Sequence, residues 1–349
     1  MAEIDHGTSE SRGHGKSKLL RIVMAILTIA ILVVSFLSLQ LNPLSDSPKT
    51  PIPARISYTA HGAIDIYGNS GFNNTLHPSN GVVSGNGTAS NPYIIEGWDI
   101  DVTLHINPGI IIQGTTAHFI IRNCYIHTGN IMFLGIGLDD CVNGTISDNL
   151  LVDGLLMGIY LYSSSNNTLI NNTCSSTASG YGIYFDLSSN NNLTHNTCSG
   201  ALYDIYLDTS SNNNLITQNW VNNSAGEGVR INSGSNNRIW NNTFYHNKGS
   251  GDTYSSSKIQ AYDAGTNNWW NTSGSPHGYG NYWSDLTSPD ADFDGIVDWS
   301  YNLTGSAGAK DWYPRTTPTW PIPEFYELII PIAGLMLIAL IFNRTRKKP

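Results

Sequence analysis

The stretch that decides the fold is NNTLINNTCSSTASGYGIYFDLSSNNNLTHNTCSG, residues 166–200. It holds two copies of one unit, in which an aliphatic residue stands three positions before an asparagine. Leu169 precedes Asn172, and Leu193 precedes Asn196, 24 residues further on. An internal period of about 20 to 50 residues is typical of a solenoid, in which each repeat buries its apolar face against the next.

The same markers recur in both directions along the chain. The asparagine marker occurs at Asn123, Asn149, Asn172, Asn196, Asn219 and Asn242. A second marker keeps the same period, with GIGLD at 135, GIYLY at 158, GIYFD at 182, DIYLD at 204 and GVRIN at 228. Alternating apolar residues indicate strands with one buried face, and the Gly, Ser and Asn clusters between them indicate turns. Three short strands per repeat of about 23 residues form the coil of a parallel β-helix, so the sequence predicts an all-β solenoid.

This geometry gives the asparagines a structural role. Coils of a β-helix stack at about 4.8 Å, so an asparagine repeated at one turn forms a ladder of amides that bond to each other. Asparagine also tolerates the left-handed backbone of tight turns. The Ser and Asn residues before each aliphatic residue, such as residues 190–192, are predicted to be solvated turn.

The two ends of the repeat region resemble a known family. NGVVSGNGTASNPYIIEGWDI at 80–100 looks like the opening coil, and GNYWSDLTSPDADFDGIVD at 280–298 looks like the closing unit, of the NosD-like family of right-handed parallel β-helix proteins. The resemblance implies a right-handed β-helix over residues 56–265 and an aromatic, Asp-rich cap over residues 266–316. The family name also implies copper. Copper is not expected here, because copper sites need clustered His, Met or Cys, and the histidines of this region are scattered singly. A NosD-type metal (copper) accessory protein is therefore only an alternative function.

Two apolar segments flank the repeat region. Residues 19–41 follow three cations and are long enough to cross about 30 Å of hydrocarbon, either as a signal anchor or as a signal peptide. Residues 326–342 form a second predicted transmembrane helix, followed by four cations. The positive-inside rule then gives cytoplasmic tails at 1–18 and 343–349, Pro-rich linkers at 42–55 and 317–325, and a body outside the cell membrane.

The second span follows a short motif, Pro323, Glu324 and Phe325. With the apolar span and basic tail, it resembles the PEF-CTERM sorting signal of archaeal surface proteins. The resemblance implies recognition by an archaeosortase as a partner, removal of the span and attachment to a lipid. A plain stop-transfer anchor is the alternative.

Composition excludes two classes of protein. Hydrophobic residues make up 40% of the 349 residues and charged residues only 12%, which excludes a disordered polymer. With a net charge of −9 and 17 Lys and Arg residues, the chain lacks the basic face that nucleic acid requires. Asn-x-Ser/Thr sequons are frequent, so glycosylation is expected at some of them.

An acidic loop in the predicted cap has the pattern of a calcium site. The loop positions that match are Asp290, Asp292, Asp294, Ile296 through its carbonyl, and Asp298. Gly295 permits the sharp turn, but Tyr301 stands where a calcium loop carries glutamate, so Asp285 or Asp311 could supply the missing ligand. A structural Ca²⁺ is therefore predicted, with a solvated acidic turn as the alternative.

The strand register also aligns side chains that could bind a ligand. Asp139, Tyr162, Asp186, Asp208 and Asn232 take the same place on successive coils, beside Tyr160, Tyr184 and Tyr206. Asp186 and Asp208 would lie about 5 Å apart, the carboxyl separation of retaining glycosidases. Catalytic candidates are thus Asp139, Asp186 and Asp208, and ligand-binding candidates are Tyr162, Asp186, Tyr206 and Asp208. Because Arg230 is the one cation in this register, the sequence favours a structural, adhesive or glycan-binding module over a polysaccharide hydrolase or lyase.

Cys174 and Cys198 each follow a ladder asparagine by two residues. They should stack on adjacent coils, within the Cα separation that a disulfide allows. A disulfide and packing as two small apolar side chains both remain open.

Overall fold

The computed structural model describes residues 58–73, 79–103, 108–128, 134–152, 155–175, 179–272 and 278–318. The chain divides into two units, Met1–Ala54 and Arg55–Pro349, and all described residues belong to the second. Within these ranges no helix is long and apolar enough to cross a membrane. The predicted spans, 19–41 and 326–342, and the motif at 323–325 lie outside the described residues.

Three long sheets form the walls of a parallel β-helix, as the period predicts. The first sheet contains Ile64–Tyr67, Ile110–Gln113, Leu134–Asp139, Met157–Tyr162, Tyr181–Asp186, Tyr203–Asp208, Val229–Ile231 and Ala261–Asp263. The second contains Val82–Ser84, Tyr93–Glu96, Phe119–Arg122, Gly144–Ser147, Thr168–Ile170, Asn192–Thr194, Leu215–Thr217 and Arg238–Trp240. The third contains Thr59–Ala60, Trp98–Asp101, Tyr125–His127, Leu150–Val152, Thr173–Ser175, Thr197–Ser199, Trp220–Asn222, Thr243–Tyr245 and Tyr282–Trp283. From Met157 to Asp208 the chain visits the first, second and third sheets in turn, so each coil contributes one strand to each wall.

A few short elements depart from the parallel pattern of these walls or lie outside them. Tyr301–Asn302 pairs antiparallel with Lys310–Asp311 in the predicted cap, and Val82–Ser84 pairs antiparallel with Tyr93–Glu96. Two 3₁₀ turns span Asn69–Phe72 and Asn247–Gly249. All other pairs in the three sheets are parallel, as expected of stacked coils.

The core is a set of stacked columns of apolar side chains, one residue from each coil. In the first sheet Ile159, Ile183 and Ile205 pair directly and are fully buried. Trp283 closes the carboxyl end of the core by stacking on Phe244 at 4.1 Å and on Tyr301 at 3.9 Å between ring centroids. Since burying an Ile or Leu side chain contributes about 1.5–3 kcal/mol, these columns supply most of the driving force for folding.

The predicted asparagine ladder exists at the turn between the second and third sheets, with two changes. From Asn149 to Asn242, each backbone N–H and side-chain Nδ2 donates to the Oδ1 of the next member, and the members are Asn149, Asn172, Asn196, Asn219, Asn242 and Asn281. Asn123 was wrongly included, because the amide of Cys124 donates to Asn149 at 3.0 Å and Asn123 takes a left-handed backbone (φ 50°) one position earlier. Asn281 extends the ladder into the cap.

A second ladder lies at the turn between the first and second sheets. Its members are Asn167, Asn191, Asn214, Asn237 and Asn268, with donor-acceptor distances of 2.9–3.1 Å between coils. Asn191 is 1% exposed, so the prediction that residues 190–192 are solvated turn was wrong for Asn191. Asn190 fits that prediction, because it is exposed and left-handed (φ 57°). Successive asparagines at this turn alternate between an inward ladder position and an outward left-handed one.

A chain of polar side chains lines the third corner, between the third and first sheets. Asn247 accepts from the amide and hydroxyl of Ser224 and donates to Gln260, and Gln260 donates to Asp285 at 2.6 Å. Asp204 lies in this corner on the earlier coil, where its Oδ1 accepts from the amide of Ala201 at 3.1 Å. Each corner is thus held by polar side chains as well as by the turn backbone.

All three corners end on a buried aspartate. Asn268 and the indole of Trp270 donate to Asp263, while the amide of Asn281 and the indole of Trp283 donate to Asp311. Asp285 receives Gln260 and the hydroxyl of Tyr301. Burial raises the pKa of Asp311 to about 7, although its hydrogen bonds from Asn281 and Trp283 partly oppose the increase.

Cys174 and Cys198 pair directly on consecutive strands of the third sheet, and both thiols are free and buried. Their side chains point in the same direction from strands about 4.8 Å apart, whereas a disulfide needs Cβ atoms about 3.8 Å apart. In this structure the two thiols pack as small apolar side chains, and the candidate disulfide stays a prediction. The other two cysteines, Cys124 and Cys141, are also buried and free.

Candidate functional site

The outer side of the first sheet carries a surface of tyrosines, which we call the tyrosine face. Strand alternation turns Ile and Leu inward and places Tyr160, Tyr184 and Tyr206 in one outward column, paired in register. Tyr181 and Tyr203 form a second column beside it. The first column continues with Arg230 and then Tyr262.

The rings of the two columns pack against each other. Centroid distances are 5.1 Å between Tyr160 and Tyr184, 5.0 Å between Tyr184 and Tyr206, and 5.0 Å between Tyr181 and Tyr184. These values lie in the range of favourable aromatic pairs. Tyr206 is only 9% exposed, so its ring forms the floor of the face, whereas Tyr162 at its edge is 39% exposed. Of the two predicted ligand-binding tyrosines, Tyr162 offers an accessible ring.

A column of carboxylates borders the rings, as the register predicts. Tyr162 pairs with Asp139 on one side and Asp186 on the other, and Asp186 pairs with Asp208. Asp208 accepts from the Tyr206 hydroxyl at 3.2 Å and from the Asn232 amide at 3.0 Å. Asp186 accepts from the Tyr160 hydroxyl at 3.5 Å through Oδ2, and its Oδ1 accepts no hydrogen bond from the described residues.

The one cation of the face is held at its far end. Arg230 lies 3.8 Å from the ring centroid of Tyr262 and 5.1 Å from that of Tyr203, distances typical of cation–π contacts. It also donates to Glu227 at 3.1 Å, and Lys248 donates to the same carboxylate at 2.7 Å. Burial would raise the pKa of Glu227, but the hydrogen bond and charge of Lys248 and the charge of Arg230 lower it below its usual value.

The carboxylates make the face electronegative. Partial burial, together with the charge and hydrogen bond of Asp186, raises the pKa of Tyr160 to about 12. Burial and the charges of Asp186 and Asp208 also raise the pKa of Tyr184. The tyrosine hydroxyls therefore stay protonated and serve as hydrogen-bond donors and acceptors at neutral pH.

Sequence reasoning missed part of this surface. Tyr181 and Tyr203, which form the second column, each stand three residues before a tyrosine already singled out, and that spacing could have identified them. The contact of Arg230 with Tyr262 joins residues 32 positions apart on neighbouring coils, and no repeat marker covers the later strand. The structure thus adds the column of Tyr181 and Tyr203 to the predicted site, together with the contact of Arg230 with Tyr262 at its far end.

The acidic loop brings three of its predicted ligands together. One carboxylate oxygen from each of Asp290, Asp292 and Asp294 lies within 4.8 Å of the others. Asp298 is outside this group, and its Oδ2 accepts from the amide of Ala291 at 3.0 Å. Asp285 and Asp311, the two alternative ligands, are instead buried at the ladder ends.

The described residues do not fit copper. Among them the single group of three or more potential ligands is this carboxylate cluster, whereas copper prefers imidazole and sulfur ligands. His127 bonds to Asp99 and His246 to Asp252, far apart in the chain, and the four cysteines are buried.

The fold and the site together define the class of protein. It is a parallel β-helix that carries tyrosines and carboxylates on the outer side of one sheet and has aromatic side chains over the carboxyl end of its core. A sequence model of the family described as "Periplasmic copper-binding protein (NosD)" matches residues 72–288. The chain belongs to the NosD family. No curated protein and no solved structure matches it. The periplasmic description agrees with the prediction that the body lies outside the cytoplasm.

Proposed function

We propose that this protein binds carbohydrate on its tyrosine face as an extracellular surface module. The observation that carries the proposal is the combination of packed tyrosine rings with a bordering column of carboxylates on the outer side of one sheet. Aromatic rings stack on the apolar faces of sugars, and carboxylates and phenol hydroxyls accept and donate hydrogen bonds to sugar hydroxyls. A flat sheet that repeats these groups on each coil suits a repeating polymer.

Binding is tested with the full chain in detergent on an array of polysaccharides. On any polysaccharide that binds, we expect Tyr162→Ala and Tyr184→Ala to weaken the affinity about tenfold, the value of one aromatic contact of about 1.5 kcal/mol. Tyr279→Ala is the matched control, because Tyr279 is 56% exposed and belongs to none of the strands of the first sheet. Equal affinity for all four proteins, with unchanged melting temperatures, would refute the proposal.

The alternative function is a polysaccharide hydrolase or lyase that uses Asp139, Asp186 and Asp208. Asp186 and Asp208 pair directly, as that function requires. The described cation nearest them in register, Arg230, is committed to Glu227 and two tyrosine rings. Release of reducing ends from a bound polysaccharide, lost in Asp186→Asn and Asp208→Asn, would establish this alternative and replace the binding function.

The proposal includes display at a membrane. The span at 326–342 would hold the body outside the cytoplasm, and Pro323, Glu324 and Phe325 would mark the chain for an archaeosortase. The support is the positive-inside pattern of both ends and the family's periplasmic description.

We also propose a structural Ca²⁺ at Asp290, Asp292 and Asp294. The support is the convergence of their oxygens and the Oδ1 of Asp290, which is buried and accepts no hydrogen bond from the described residues. Calcium binds carboxylate oxygens at 2.3–2.6 Å, which a cluster of this size can provide with small movements.

Calcium should therefore raise the melting temperature. At a concentration about 100 times Kd, binding adds about 2.7 kcal/mol of stability, which is a shift of about 5 °C or more for a body of this size. Differential scanning fluorimetry with calcium and with a chelator measures it. Asp292→Asn should abolish the shift and Asp140→Asn, an exposed aspartate elsewhere, should keep it. No shift in the unaltered chain removes the proposal.

A further inference from the structure

We propose that the carbohydrate of the tyrosine face carries protonated amino groups, as in a polymer of amino sugars without N-acetyl groups. This inference rests on the proposed carbohydrate binding and names the class of sugar. Three features of the face support it. They are its negative charge, the binding of Arg230 by tyrosines and a carboxylate, and the Oδ1 of Asp186, which accepts no hydrogen bond from the described residues.

The charge of the face is negative over most of its length. Asp139, Asp186 and Asp208 border the rings along the acidic column. No Lys or Arg among the described residues forms an ion pair with any of them. At the far end Glu227 pairs with both Arg230 and Lys248, so it offsets one of these two positive charges, and the three aspartates outnumber the one that remains. An anionic polysaccharide is therefore repelled, and a cationic one is attracted.

The far end shows how this face holds a cation. Arg230 continues the central tyrosine column, lies against the rings of Tyr203 and Tyr262, and pairs with a carboxylate beside them. Tyr rings attract a cation through their electronegative faces, and the attraction is strongest where a carboxylate lies nearby. The chain thus uses one tyrosine–carboxylate environment for its own guanidinium group.

The same environment recurs toward the other end, and no cation among the described residues pairs with it. Tyr160 and Tyr184 lie 5.1 Å apart at the level of Asp186. The Oδ2 of Asp186 has only the Tyr160 hydroxyl at 3.5 Å, the outer limit of a hydrogen bond, and its Oδ1 has no partner among the described residues. A buried carboxylate oxygen without a donor is costly, and an ammonium group supplies three donors and the opposite charge. We place the amino group of the ligand at the carboxylate of Asp186, a residue that is partly exposed.

The test compares two oligosaccharides of equal length and linkage, a glucosamine oligomer and its fully N-acetylated form, by isothermal titration calorimetry with the full chain in detergent. We expect the glucosamine oligomer to bind at least tenfold more tightly, with an affinity that falls as salt is added. Asp186→Asn should remove that preference, and Asp148→Asn, at an exposed aspartate between the second and third sheets, should retain it.

Each other outcome has one meaning. Equal or tighter binding of the acetylated oligomer, unchanged by Asp186→Asn, overturns the amino-sugar inference and leaves carbohydrate binding in place. A lysine oligomer of equal charge that binds as tightly as the glucosamine oligomer also overturns it, because the face would then recognise charge alone. If no polysaccharide on the array binds and neither oligomer does, both the inference and the proposed function fail.

Discussion

Replacing Asn196 with alanine should lower the free energy of unfolding by about 3–5 kcal/mol. The Oδ1 of Asn196 accepts from the amide and the Nδ2 of Asn172 at 3.0 and 2.9 Å, and its own Nδ2 donates to the carbonyl of Leu169 at 2.9 Å. Alanine leaves a buried N–H group and a buried carbonyl without these partners, at about 1–3 kcal/mol each, and opens a small cavity. Thermal or urea unfolding, followed by circular dichroism, measures the loss.

Asn190→Gly is the matched control for this variant. Asn190 lies on the same coil, is exposed and has a φ of 57°, which glycine adopts without strain. Its stability should stay within about 0.5 kcal/mol of the unaltered chain. If the two variants lose similar amounts of stability, the inward ladder contributes no more than the outward turn and our account of the corners is wrong.

Asp204→Asn should stabilise the protein, and more so at pH 8 than at pH 4. Asp204 is fully buried, and burial raises its pKa from 3.8 to about 7, although the hydrogen bond that its Oδ1 accepts from the Ala201 amide partly opposes the increase. The folded state therefore holds its proton more tightly than the unfolded state. The corresponding stability is complete below about pH 4 and is lost as pH rises to about 7, a change of up to about 4 kcal/mol. Asparagine keeps an oxygen for the Ala201 amide and carries no charge, so the loss disappears.

Urea unfolding at both pH values tests this result. The difference between Asp204→Asn and the unaltered chain should be near zero at pH 4 and about 2–4 kcal/mol in favour of the variant at pH 8. Asp140→Asn, at an exposed left-handed position that asparagine tolerates, should show no such dependence. A variant that is destabilised equally at both pH values would show that the carboxylate itself is needed in the folded state.

The repeat predicted the fold because two markers in the sequence share one period. One marker lies in the strands and the other lies in the turns. Leu169 and Leu193 mark the core, and Asn172 and Asn196 mark one ladder, with the pairings that the structure has. The predicted register was wrong at Asn123, because the coil there differs in length. The buried aliphatic residue that pairs with Ile146 is Ile121, one position after the predicted Ile120. The second ladder was missed because Asn190, Asn191 and Asn192 are adjacent and the period alone does not say which one turns inward.

For the site, too, the sequence predicted what is periodic and missed what depends on packing. The carboxylate column came from strand register, which is periodic, so Asp186 and Asp208 were correctly paired. Which tyrosine rings are covered depends on packing between columns, and Tyr206 is nearly buried although it has the same sequence pattern as Tyr184. The buried positions of Asp285 and Asp311 at the ladder ends were not predictable, because the cap contains no repeat that would identify their hydrogen-bond partners.

The aspartates at the three corners end the side-chain ladders of this stack of coils. Each coil donates hydrogen bonds to the next, so a bare last coil would present the same template that lets cross-β assemblies grow by adding chains. Asp263, Asp285 and Asp311 accept those donors but offer no N–H group of their own side chain to a further coil. Each side-chain ladder thus ends at a carboxylate, where a coil from another copy of the chain would find no amide donor to continue it.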